Sequence, residues 1–118
     1  MRRTLLKSKI HRATVTGADI NYEGSVSIDR EICSKSDLIE FEKVEIYNVT
    51  NGNRFSTYVI FGNSKEINLN GAAARLVQTG DTVIIASYSS FDEEEISMHR
   101  PTVVIMNPDN TVKEVIKK

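Results

Sequence analysis

The tightest constraint on the fold is a pair of neighbouring runs, 44–49 and 55–61, built from Val, Ile, Tyr, Phe and Thr. Such residues suit a pleated, half-buried surface, and both runs have the length of a strand rather than a helix. Between them lies Asn51-Gly52, the pair that most readily adopts the two positive φ angles of a type I′ turn. An antiparallel hairpin is therefore expected here. Runs of the same character lie at 4–16, 25–28, 67–69, 82–89, 102–106 and 112–116, each bounded by turn residues. Helix is confined to scraps. Residues 28–33 have Asp29 placed to cap them, 72–76 follow Asn70-Gly71, and 92–96 begin with acidic residues, as a helix N-terminus prefers. Many short strands with so little helix predict a small barrel rather than a parallel sheet covered by helices.

No linker, composition break or repeat divides the 118 residues, so a single domain over 1–118 is expected. A chain of this size buries roughly two-thirds of its unfolded surface, which supports a modest core. Fifteen basic residues against sixteen acidic ones give a net charge of −1. Nucleic acid is then a poor partner, because neutralising phosphates requires a surplus of Lys and Arg. One Cys and two widely separated His exclude a disulfide framework and a zinc finger, and no metal site is expected. The apolar runs are too short to span a membrane as helices, and the basic start Met1–Lys7 lacks the apolar stretch of a signal peptide. A cytoplasmic protein is expected, which makes the sequon Asn48-Val49-Thr50 a coincidence of composition.

Few side chains suggest chemistry by pattern alone. Alternation along the first strand puts Lys7, Lys9 and His11 on one face. They could be the charges that guard an edge strand, or a cationic wall for a small acid. In the second arm of the hairpin, Arg54, Ser56 and Tyr58 share a face, with Phe55, Thr57 and Val59 opposite. Arg54 suits a carboxylate and Tyr58 suits proton donation, but about 13 Å of strand separates them, so both cannot grip one end of a small molecule. Gly24-Ser25 before a strand reads as an ordinary turn, Cys33 as a packing residue and Asp92–Glu95 as a solvated helix start.

In combination these segments carry more. Lys9-Ile10-His11-Arg12, Tyr22-Glu23-Gly24-Ser25, Asn48-Val49-Thr50-Asn51-Gly52 running into Arg54-Phe55-Ser56-Thr57-Tyr58, Asn70-Gly71-Ala72-Ala73-Ala74, Gly80-Asp81-Thr82-Val83-Ile84-Ile85 and Arg100-Pro101 follow one another in register. The chain closely resembles the pyruvoyl-dependent L-aspartate 1-decarboxylases over essentially its whole length. One departure is Tyr47, where some relatives carry another aromatic; only packing consequences are expected from it.

The resemblance implies a mainly β fold, a six-stranded double-psi β-barrel with a few short helices, assembled as a homotetramer with active sites between adjacent subunits. It implies self-cleavage between Gly24 and Ser25 into chains 1–24 and 25–118. The Ser25 hydroxyl would attack the Gly24 carbonyl to give an ester; elimination to dehydroalanine and hydrolysis with loss of ammonia would leave a pyruvoyl group as the cofactor. Position 25 needs a heteroatom on Cβ that can attack and then leave, and Gly24 is expected to supply backbone freedom and an unobstructed carbonyl. The ketone would bind L-aspartate as a Schiff base and accept the electron pair released with CO2, giving β-alanine for pantothenate biosynthesis. By resemblance, Tyr58 is the proton donor and Thr57 assists processing and binds substrate. Lys9, Arg54 and His11 would meet the substrate carboxylates, Asn70, Gly71, Ala72 and Ala73 would form a small-residue loop against the bound adduct, and Tyr22 would lie near the site. Whether cleavage needs an accessory maturation protein is left open. Two other readings stand beside this one: an uncleaved barrel-fold binding or structural protein, and a pyruvoyl decarboxylase of another small amino acid.

Overall fold

A computed structural model describes all of residues Met1–Lys118. Nine strands, two short α-helices and a 3₁₀ helix follow the chain as β1 (Arg3–Thr14), β2 (Gly17–Asp19), β3 (Ser25–Asp29), α1 (Arg30–Lys35), β4 (Lys43–Asn48), β5 (Arg54–Gly62), β6 (Ile67–Asn70), the 3₁₀ helix (Gly71–Leu76), β7 (Thr82–Phe91), α2 (Glu93–Ile96), β8 (Thr102–Met106) and β9 (Val112–Lys117). The protein is mainly β with little helix, as expected. Nine hydrogen-bonded strands lie in the order β2-β6-β3-β5-β4-β7-β1-β8-β9, against eight runs read from the sequence. β2 is an addition to the strands read from sequence. It follows directly on the expected run 4–16, where the chain leaves β7 and β8 and turns to pair with β6.

That break sits at residues 15–16. The Val15 amide donates to Asp81 O at 2.9 Å and the Thr16 amide donates to Ile67 O at 2.8 Å, so one short segment touches the start of β6 and the residue just before β7. The pairing of β1 with β7 also slips between Ile10 and Ala13, where Arg12 takes φ 65°. Bulges of this kind bend and twist a strand. Three pairings are parallel (β1 with β8, β2 with β6 and β3 with β5), and each requires a crossover rather than a tight turn.

β1 is an interior strand between β7 and β8, which removes the edge-guarding explanation for its lysines. Its alternation holds: Ser8 and Ile10 are buried, while Lys7, Lys9 and His11 lie on the other face. In β4 the same period buries Val44, Ile46 and Asn48. β3 is different, because all five of its residues are buried between β5 and β6. Nineteen buried residues, among them Ile10, Ile28, Ile46, Leu69 and Ile85, make one continuous core. Cys33 is fully buried in it, and burial first, then the nearby Asp29, Glu42 and Glu40 carboxylates, push its thiol up to about 12. It packs, as expected.

The hairpin of β4 and β5 forms, but not on a type I′ turn. Tyr47 pairs with Arg54, residues 49–53 intervene, and of Asn51 and Gly52 only the glycine has positive φ, at 82°. The reason is the Asn48 side chain. Its Oδ1 accepts the amides of Thr50 at 2.9 Å and Asn51 at 3.3 Å, winding the loop into a helical turn that ends on left-handed Gly52, whose amide donates to Asn48 O. Asn48 is only 3% exposed, in keeping with its sequon being coincidental. The expected cap at Asp29 forms, accepting from the Glu31 amide, and the acidic start at 92–96 proves to be a reciprocal capping box between Asp92 and Glu95.

Candidate active site

The site is built on the junction between an exposed loop and a buried strand. Residues 20–24 are exposed, and burial begins at Ser25, the first residue of β3. Ser25 is 1% exposed. Its hydroxyl donates to Glu23 O at 3.3 Å and accepts from Asn70 Nδ2 at 2.9 Å. The same amide nitrogen donates to Ser27 Oγ at 3.1 Å. β3 and β6 are antiparallel neighbours with Ser25 opposite Asn70, and this register delivers the amide to the hydroxyl.

Asn70 also ends β6, and the chain turns at Gly71 into the 3₁₀ helix. Gly71 has φ 64°, and a Cβ there would lie 2.7 Å from Gly24 Cα and 3.1 Å from Tyr22 O. No side chain fits without displacing the 22–24 loop. The conformational demand expected at Gly24 therefore falls on Gly71. Gly24 is outside the left-handed region, and open space surrounds the position its Cβ would take.

A cleft of about 450 Å³ opens beside this junction. It brings together Gly24, Thr57, Tyr58, Ala72 and Ala73, with Phe55, Ser56 and Leu76 completing its walls. Thr57 is half-buried, whereas Tyr58 is 36% exposed. Tyr22 and Asn70 line a second cleft of about 300 Å³ together with Ser27. The cleft at Gly24 contains no cation. Lys9, His11 and Arg54 lie instead on the outer face of the sheet, where Lys9, Ala86, Glu45 and Ser56 form one row across β1, β7, β4 and β5. Three strand spacings put Lys9 about 14 Å from the strand that bears Arg54. The Arg54 guanidinium lies over the Tyr47 ring at 4.0 Å, and the Tyr47 hydroxyl meets that of Tyr88 at 2.8 Å. His11 Nδ1 is buried without a partner; burial, then Lys9 and Arg12, hold its pKa below the ordinary value, which favours the neutral ring.

A buried serine held at a glycine–serine junction, a threonine and a tyrosine on the cleft wall and a glycine-sharpened turn make one constellation on a β framework. The family model of aspartate decarboxylase matches residues 1–113. The chain belongs to the aspartate decarboxylase family. It is 57% identical to the aspartate 1-decarboxylase of Hydrogenobaculum sp. (strain Y04AAS1) over 98% of this chain and 92% of the relative. To the enzyme of that name from Bdellovibrio bacteriovorus it is 58% identical over 98% and 93%. To that from Cupriavidus necator it is 51% identical over 99% of both chains.

Three parts of this family member's architecture escaped the sequence reading. Asn70 was expected as part of a loop against substrate, and the structure adds its amide bonds to Ser25 and Ser27. Tyr47 was expected only to pack, and it carries the Arg54 guanidinium. The third is a polar anchor: Asn48 Nδ2 donates to Asp81 Oδ2 at 2.8 Å, and the side-chain amides of Asn48, Asn51 and Asn53 all donate to Leu76 O, tying the hairpin loop to the end of the 3₁₀ helix. The clustering of Asn48, Asn51 and Asn53 was the available signal, masked by the turn preference of the same residues.

Proposed function

We infer that the protein is an aspartate 1-decarboxylase, a lyase that converts L-aspartate into β-alanine and CO2 for pantothenate biosynthesis, and that it becomes active by self-cleavage between Gly24 and Ser25. The observation that carries this reading, beyond family membership, is the buried Ser25 hydroxyl held by Asn70 directly after the exposed Gly24. The donor set suits a pyruvoyl precursor. A serine hydroxyl stripped of water and held at 2.9 Å by an amide is restrained directly after the peptide it would attack. Thr57, which lines the same cleft as Gly24, assists that processing in this reading.

The pyruvoyl ketone supplies an electron sink for the pair released as the carboxyl group leaves. Tyr58 then protonates the substrate α-carbon from the cleft wall, a contribution typically about 10²–10⁴ in rate. Ala72 and Ala73 keep that wall short enough for a small amino acid, and Tyr22 closes the neighbouring side. Aspartate's two carboxylates need cations, and the cleft has none of its own. We assign Lys9, Arg54 and His11 of an adjacent copy to that role within a homotetramer. That none of the three lines the Gly24 cleft supports this arrangement.

The proposed barrel is a six-stranded double-psi barrel. What supports it is the pairing at the two ends of the order β6-β3-β5-β4-β7: β2 pairs with β6 and β1 with β7, and β1 and β2 are joined through residues 15–16. No helix is long and apolar enough to cross a membrane, and the proposed location is the cytoplasm, with neither nucleic acid nor membrane as partner.

The test is denaturing intact-mass spectrometry beside an assay of β-alanine release. Two masses dividing at Gly24/Ser25, the larger lighter by one ammonia than hydrolysis predicts, are expected together with turnover of L-aspartate. A chain that stays intact after warm incubation and releases no β-alanine would sink the proposal.

A further inference from the structure

Phe41 is out of place by every local criterion. It has φ 70°, a left-handed conformation that a bulky residue rarely takes, and it is 73% exposed, so no burial within the chain compensates the strain. The surrounding contacts hold it there firmly. The Phe41 amide donates to Val59 O at 2.7 Å, and the Val59 amide donates to Glu42 O at 3.0 Å, which docks the 39–42 segment along β5. Glu42 in turn accepts from Lys7 at 2.9 Å and from Ser87 Oγ at 2.5 Å, and its other oxygen accepts the Ile39 amide at 3.1 Å. Lys7 also donates to Asp37 O. Strain that is fixed by its surroundings and sits beside reacting groups marks a functional role more often than an accident.

What the strained conformation achieves is one contact. It presents the Phe41 ring to Tyr58, with centroids 6.4 Å apart and planes tilted by 41°, inside the range of a favourable aromatic pair. Tyr58 stands at the open wall of the Gly24 cleft and is 36% exposed. We propose that Phe41 is a positioning residue for Tyr58, fixing the ring of the proton donor and covering part of its solvent side. The inference rests on the assignment of Tyr58 above. A phenol that wanders from its line to the α-carbon donates more slowly even though substrate binds as before.

Phe41→Gly removes the ring and relieves the backbone strain at once, which separates the two roles a residue here could play. In the self-cleaved enzyme it is expected to leave the thermal midpoint equal or higher and KM little changed, while kcat falls several-fold; Phe41→Tyr is expected to retain kcat. In a Tyr58→Phe background, adding Phe41→Gly should cost nothing further, because a positioning residue has no effect once its object is gone. Undiminished kcat in Phe41→Gly overturns the proposal, and so do independent, multiplying losses in the double variant. A lowered midpoint with kcat retained makes Phe41 a stability residue and overturns it as well. Tyr58→Phe alone reports separately on the proton-donor assignment. Full turnover there removes that assignment, whereas a loss there with full turnover in Phe41→Gly removes only the role of Phe41.

Discussion

Asn70 serves two hydroxyls with one amide, and no other side chain donates to Ser25 or Ser27. Asn70→Ala would leave Ser25 Oγ with only its 3.3 Å bond to Glu23 O. Self-cleavage should slow markedly, read as the fraction of intact chain against time by mass spectrometry. The fold should lose about 1–3 kcal/mol, the usual cost of stripping a buried polar group. A cleavage rate equal to wild type would separate Asn70 from processing. His11 allows a pH test. Its folded pKa is depressed by burial and by the nearby Lys9 and Arg12 cations, so below its ordinary value of 6.5 the unfolded chain takes up a proton that the folded chain resists. Stability from this site is complete above that value and declines as pH falls towards the folded pKa. His11→Asn should therefore flatten the midpoint-against-pH curve just below pH 6.5; an unchanged slope would contradict the burial argument.

At the scale of elements, the active-site turn is held at both ends. Gly71 meets the 22–24 loop at one end of the 3₁₀ helix, and Leu76 O accepts three asparagine amides at the other. Asn48 links the hairpin loop, Asp81 and that carbonyl, so it couples three elements through a 3%-exposed side chain. Asn48→Ala should cost about 1–3 kcal/mol by leaving Asp81 and the loop amides short of partners. Calorimetry would measure it, and the same variant should process more slowly if the helix end positions Gly71. The hairpin shows why local preference misled here. Asn51-Gly52 favours a two-residue turn, but a buried Asn48 bonded across to β7's lead-in gains more by gathering the loop amides than a tighter turn would supply.

For the whole molecule, the lining of the cleft at Gly24 lacks a cation, while Lys9, His11 and Arg54 lie on the face of the sheet. If sites form between copies, two inactive variants should repair each other. Ser25→Ala protomers keep Arg54, and Arg54→Ala protomers keep Ser25. Co-folded in equal amounts, they should regain about a quarter of wild-type activity, the share of sites drawing each intact residue from a different copy. No recovery, with mixed oligomers shown to be present, would place both residues in one protomer.

Strand content, the cap at Asp29, the acidic helix start at 92–96, the packing role of Cys33 and the alternation of β1 and β5 were all legible in sequence, because each follows from periodicities and preferences acting over a few residues. Family likeness added the Gly24–Ser25 junction and its companions Thr57 and Tyr58. Tertiary structure alone decided that β1 is interior, that the chain breaks at residues 15–16 to pair with β6, that Gly71 rather than Gly24 carries the positive φ, and that Phe41 is strained against Tyr58. These depend on contacts between residues distant in sequence, such as Ser25 with Asn70 and Asn48 with Asp81, whose partners no local pattern can name.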